Sequence, residues 1–136
     1  MLFFDYPRPS ENSGIIRIGH DHWGGGAILS KEIAIDRSKP HTLRVVFGSL
    51  FPPETDEFFM AHPERKILKR RLYLTLDDAA VFDEARDFNP SAGGEITIGY
   101  NLIGASTTVP ELTATFLKAE RLSPEAGLEL MKSAAR

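Results

Sequence analysis

The chain contains no cysteine. That absence excludes a disulfide framework, a Cys-ligated zinc site, an iron–sulfur centre and thiol catalysis, and it leaves the redox compartment unread. An excess of positive charge is also missing: 16 Lys and Arg stand against 19 Asp and Glu, a net charge of −3. Phosphate contacts need clustered cations, so no nucleic-acid partner is expected. No apolar run approaches the ~18 residues of a membrane span, and the sequence does not open on a basic stretch followed by an apolar one. A soluble chain without membrane insertion is the expectation.

What is present amounts to one domain, since 136 residues fall in the range of roughly 100 to 150 over which a single core grows. Surface scaling gives a compact fold of this mass about 7,000 Å² of exposed surface, which leaves enough burial for a core without staples. Nine Pro and eleven Gly fall mostly between short apolar stretches, as in a chain of many strands and turns. Gly14 to Gly19 sets Ile15, Ile16 and Ile18 around Arg17, and Thr42 to Phe47 alternates Leu43, Val45 and Phe47 with Thr42, Arg44 and Val46. Arg71 to Leu76 places Leu72, Leu74 and Leu76 on one face and Tyr73 and Thr75 on the other, while Glu95 to Gly99 turns Ile96 and Ile98 inward. Further strands are predicted over Ala27 to Ile35, Ala79 to Asp83 and Glu111 to Ala119, with Asp77 and Asp78 forming a hairpin turn. The reading is an all-β, two-layer antiparallel β-sandwich over residues 1–122 and a short C-terminal helix or tail over 123–136, together one domain.

Two segments depart from this pattern. Gly48 to Lys69 carries Pro52, Pro53 and Pro63 among mixed charges and reads as a protruding loop with one short helical turn. From Ser123 the sequence fits an N-cap, with Pro124 at the first helical position, Glu125 at the positive end of the dipole, and Leu128, Leu130 and Met131 to dock.

The most informative pattern is a self-match eighty residues apart. Gly14-Ile15-Ile16-Arg17-Ile18-Gly19-His20-Asp21 and Gly94-Glu95-Ile96-Thr97-Ile98-Gly99-Tyr100-Asn101 both read G-x-I-x-I-G, a ring, then Asp or Asn, and Gly24 and Gly104 follow at the same offset. Strand, glycine bend and Asx side chain recur in order, so equivalent geometry is expected, with both turns leaving the same end and bringing Asp21 and Asn101 together. Leu72 to Asp78, Gly94 to Gly104 and Ala114 to Leu122 together resemble the second half of a laminin-G-like, concanavalin A-like domain. The resemblance implies a jelly roll of two curved antiparallel sheets. Asp78 stands where the family's turn usually has glycine, and no evident set of calcium ligands is present.

Function has to be argued from a site. Sugar hydroxyls are recognised by a rigid carboxylate and amide, by backbone N–H groups approached through glycine, and by an aromatic face. Asp21, Trp23, Gly24, Gly25, Tyr100 and Asn101 supply that set if the two turns are adjacent. Lectins of the resembled superfamily use a similar set of residue types at other spacings. The competing reading is that Asp21 and Asn101 cap their own turns while Trp23 packs in the core. His20 and His22 lie on one side of a strand and could meet a divalent metal only with a third ligand, for which His41 or Asp36 is the guess. The alternative is a pair of imidazoles satisfied by backbone carbonyls, and no metal is assigned.

Asp83, Glu84 and Asp87 do not form the spaced carboxylates of a glycosidase, and Asp83 and Glu84 read as a solvated edge. Ser30, Ser49 and Ser106 sit in no nucleophile elbow, and Gly24 to Gly26 lack the Lys of a phosphate loop. The basic run Arg65 to Arg71 reads as edge protection rather than a polyanion site, because acids flank it. No catalytic residue and no cofactor are therefore assigned. The leading expectation is a non-catalytic recognition module for a carbohydrate, either on its own or as part of a larger protein. The alternative is an accessory or assembly domain that contacts a protein partner or parent chain through a sheet face, the Gly48 to Lys69 loop or the terminal helix.

Overall fold

A computed structural model describes residues 1–7, 14–22, 24–88, 96–102 and 108–133. The first sheet holds β1 (Leu2–Asp5), β2 (Ile15–His22), β3 (Gly26–Leu29) and β4 (Ile33–Ala34), with β2 paired antiparallel to the other three. β3 and β4 run along the same side of β2 with one bulge between them. Ser30, Lys31 and Glu32 lie opposite only Arg17 and Ile18, because Leu29 faces Gly19 and Ile33 faces Ile16. Ser30 repairs the ladder there: its hydroxyl accepts the Ile18 N–H at 3.0 Å, and its own N–H donates to the Ile18 carbonyl at 2.9 Å.

The second sheet is antiparallel with strand order β5 (Leu43–Phe47), β6 (Arg71–Leu76), β7 (Ala79–Ala85). Asp77 and Asp78 join β6 to β7 with φ of 49° and 69°, the left-handed pair that a two-residue hairpin turn requires. Asp tolerates that region because its side chain bonds locally. Asp77 takes the Thr42 N–H at 2.8 Å, and Asp78 pairs with Arg44.

Period-two patterning explains the first core. Ile16 and Ile18 of β2 join Leu72, Leu74 and Leu76 of β6 and Phe82 of β7 in one buried cluster, flanked by Leu2, Phe4 and Ile28. The opposite face of the second sheet is covered as well. Val46 and Tyr73 form a second cluster with Phe51, Phe58, Phe59 and Leu68, and Leu128, Leu130 and Met131 close over it. The segment expected to protrude is therefore an outer layer. It is built from a 3-10 turn at Gly48–Leu50, helix α1 (Glu57–Met60) capped by Asp56, and a second 3-10 stretch at Pro63–Arg70. Each buried Phe contributes roughly 1.5–3 kcal/mol, which offsets the ordering of so long a connection. Helix α2 (Pro124–Ser133) starts as its sequence indicates, with the Ser123 hydroxyl accepting the Ala126 N–H at 3.2 Å.

Two strand expectations are corrected. Residues 96–98 carry no ladder, and Glu95 lies outside the described residues. Of the stretch from Glu111 to Ala119, only Glu111 pairs, in a lone bridge with Tyr100. Local alternation was right for a strand, but among the described residues no sheet edge pairs with it beyond the Tyr100–Glu111 bridge.

Candidate functional site

The end of the first sheet where β2 turns into β3 carries the residues singled out above. Gly24 and Gly26 have φ of +84° and +76°, so the tight reversal after His22 depends on glycine at those positions. Gly25 serves a close approach: a Cβ there would stand 2.6 Å from Nδ1 of His22. The Gly25 N–H, expected to be offered to a ligand, donates instead to the His22 carbonyl at 2.9 Å. Trp23 lies outside the described residues.

Asp21 and Asn101 are connected by Met1. The Asp21 N–H donates to the Met1 carbonyl at 2.8 Å, and the Asp21 carbonyl accepts from the Met1 amine at 2.7 Å. From the other turn, Asn101 Nδ2 donates to Thr108 Oγ1 at 3.0 Å, and the Thr108 hydroxyl lies 4.0 Å from Sδ of Met1. The Asn101 N–H donates to the Pro110 carbonyl at 2.8 Å, a backbone contact that closes its own loop. Tyr100 beside it is 61% exposed.

The two copies share a ring over the glycine but not its backbone, since Gly19 runs within β2 whereas Gly99 bends with a φ of +85°, so the expected equivalent geometry is corrected. Gly19 lies beneath the ring of Phe3, and Gly99 lies beneath the ring of Phe116, where a Cβ would stand 2.9 Å from the nearest ring carbon. The isoleucines do not behave alike. Ile16 and Ile18 are 2% and 1% exposed, whereas Ile96 and Ile98 are 48% and 49% exposed.

His20 follows Ile16 and Ile18 on the inward face and is 2% exposed. Its ring centroid lies 5.5 Å from that of Phe47 and 5.6 Å from that of Phe88, and Nδ1 has no partner. Burial lowers its pKa to about 4, and the Met1 ammonium, Arg86 and His22 push in the same direction against Asp21. His22 Nε2 is likewise buried without a partner. The expectation of imidazoles satisfied by carbonyls is thus corrected at one nitrogen of each ring.

The guessed third metal ligands belong to a different cluster. His41 Nδ1 lies 2.5 Å from Asp77, and Nε2 lies 2.9 Å from the Asp36 carbonyl. The Asp77 contact, helped by the Asp36 carbonyl, raises the His41 pKa. Asp36 is held down at about 2 by Lys39 and by the Ser38 hydroxyl and N–H. Among the described residues, no group of three or more His, Asp or Glu is placed to hold a metal ion.

The basic run is also committed. Lys66 pairs with Glu54 at 3.0 Å, Arg70 with Asp87 at 2.8 Å, and Arg71 with Asp83, while Lys69 donates to the carbonyls of Phe51 and Pro52. It leads into β6, the central strand of its sheet rather than an edge; Lys66 and Lys69 bond within the outer layer, and Arg70 and Arg71 reach Asp87 and Asp83 on the β7 side.

Two concavities lie away from Asp21 and Asn101. One, of about 370 Å³, sits between α1 and the start of α2 and includes Phe58, His62 and Arg65. The other, of about 450 Å³, is a groove along β3, β4 and the β6–β7 hairpin, lined by Leu29, Ile33, Leu76, Val81 and Phe82. Sequence reasoning missed Met1, Thr108, Phe47 and Phe88 as neighbours of the candidate residues. No local signal marks them, since each arrives from a distant part of the chain. A scan against protein-family models found no match for this chain, and searches of curated proteins and of solved structures found none either.

Proposed function

We propose that the chain is a non-catalytic recognition module that binds a carbohydrate at the end of the first sheet, through Asp21, Trp23, Gly24, Tyr100 and Asn101. The observation that carries this reading is the link through Met1, which ties the turn after Asp21 to the turn after Tyr100 and leaves the Tyr100 ring open to solvent. A tyrosine face suits the apolar side of a sugar ring, and a carboxylate accepts from its hydroxyls. Gly25 leaves the proposed contact set, because its N–H is already used within the turn. The same proposal takes the two antiparallel sheets and their shared core as the frame of a concanavalin A-like jelly roll.

A glycan array with the wild-type chain and an Asp21→Ala, Asn101→Ala double variant tests the function. Binding by wild type and a loss of about tenfold or more in the variant are expected. An array with no wild-type signal overturns the proposal.

One observation favours the assembly reading as a second possibility. The Gly48 to Lys69 loop and the terminal helix turn their buried apolar residues onto the second core, so contact with a partner falls to residues 96–102 and 108–122, where Leu102, Val109 and Leu117 are exposed.

A further inference from the structure

We infer that His20 is an acid-operated latch: a proton on its ring peels the end of β2, His20 to His22, away from Phe47, Phe88 and Met1 while both cores stay folded. Three rings carry this inference. His20 of β2, Phe47 of β5 and Phe88 after β7 lie with each pair of ring centroids 5.5 or 5.6 Å apart, so the cluster joins the end of the first sheet to the second. The His20 ring is 2% exposed there, and its Nδ1 is buried without a partner. A neutral imidazole fits that place at the loss of one hydrogen bond. An imidazolium carries N–H donors on both nitrogens and finds no acceptor at Nδ1.

The surroundings set the direction of release. The Met1 ammonium, Arg86 and His22 all bear on His20 with positive charge or the capacity for it, and against them stands the carboxylate of Asp21. The second sheet's contribution at the ring is Phe47, which offers a cation no hydrogen bond. The same positive groups disfavour a metal ion at the two unpartnered imidazole nitrogens, so a proton leaves the ring only the way out to water.

That way is short. On the β1 side, Leu2 is the last partner of β2, opposite His20, and past it Asp21 is bonded through its N–H and carbonyl to Met1. On the other side Ala27 and Gly26 pair with Asp21 and His22 and travel with them. Opening also brings water to His22 Nε2, buried without a partner, and to the Met1 ammonium, whose own pKa burial pushes down. Ile16 and Ile18, further back on β2, keep their places in the first core. A ring that titrates near 6.5 when open and about 4 when closed shifts the balance towards opening about 20-fold between pH 7 and pH 5.

Amide hydrogen exchange on the full chain at pH 7, 6 and 5, read from ¹H–¹⁵N spectra and corrected for the chemical rate at each pH, tests this inference. The Asp21 N–H, bonded to the Met1 carbonyl, reports the latch, and the ladder amides of β6, the central strand of the second sheet, report unfolding of the whole. The opening constant at Asp21 is expected to rise about 20-fold from pH 7 to pH 5 and to exceed that of β6 at every pH. In His20→Leu, which cannot charge, it is expected to change less than about twofold. Equal opening constants at Asp21 and β6 overturn the inference, because acid then only unfolds the whole chain. So does a rise at Asp21 that His20→Leu shares. If His20→Leu does not fold, the His20 ring resonances of wild type decide in its place: titration well below 6.5, accompanied by the rise at Asp21, is expected, and titration at the ordinary value overturns the latch. A chain that binds no glycan still shows or lacks this opening, so the latch and the recognition proposal stand or fall separately.

Discussion

Acid is expected to destabilise this fold through His20. The imidazole is 2% exposed between Phe47 and Phe88, and its pKa falls from 6.5 to about 4 because burial disfavours the charged form. A group that binds its proton less readily when folded gives stability that is present above the unfolded value and is lost as pH falls towards the folded value. Linkage over that interval removes about 2 kcal/mol between pH 7 and pH 5 and about 3 kcal/mol by pH 4. Urea unfolding followed by circular dichroism at pH 7, 6 and 5 measures the effect. With a slope of roughly 1–3 kcal/mol/M, the wild-type midpoint is expected to fall by about 1 M between pH 7 and pH 5. His20→Leu replaces the ring with an apolar side chain that cannot charge, and it also removes the unpartnered Nδ1. Its midpoint is expected to change little over the same range, so the difference between the two proteins isolates His20 from the carboxylates, which respond equally in both. Parallel pH profiles for wild type and variant refute the reasoning.

His41 acts with the opposite sign. Its raised pKa makes the tie to Asp77 strongest below pH 6.5 and weaker as pH rises through the folded value, and the imidazole proton resonances of His41 are expected to titrate above the ordinary range in wild type and to move down in Asp77→Asn. Ser30→Ala leaves the N–H of Ile18, a residue buried in the core, without the hydroxyl that accepts it at the bulge, and a loss of about 1–3 kcal/mol is expected in urea unfolding at pH 7.

Much of the sheet structure was legible because its causes are local. β2 and β6 follow from alternating Ile and Leu, and the β6–β7 turn follows from two adjacent Asp that tolerate positive φ. The terminal helix follows from Ser123, Pro124 and Glu125. The same local signals predicted strands at Ile96 to Ile98 and beyond Glu111, where the structure has none, because a strand also needs a partner edge and alternation does not supply one. The packing of Phe51, Phe58 and Phe59 beneath the terminal helix was hidden by the prolines and charges around them. At the candidate site, period two already placed His20 on the face of Ile16 and Ile18, but its ring neighbours Phe47 and Phe88 come from distant segments. The shared pattern marked Asp21 and Asn101 as a pair to compare, and Gly104 of the second turn lies outside the described residues. Met1 as the link was not legible.

The central claim is that the turn after Asp21 and the turn after Tyr100 act as one binding surface. Amide ¹H–¹⁵N spectra of the chain, recorded while the strongest glycan from the array is added, test it most directly. The account expects the resonances of Gly24, Tyr100 and Asn101 to shift together with one dissociation constant. Shifts confined to one turn, or none at either while the sugar is bound elsewhere, contradict it.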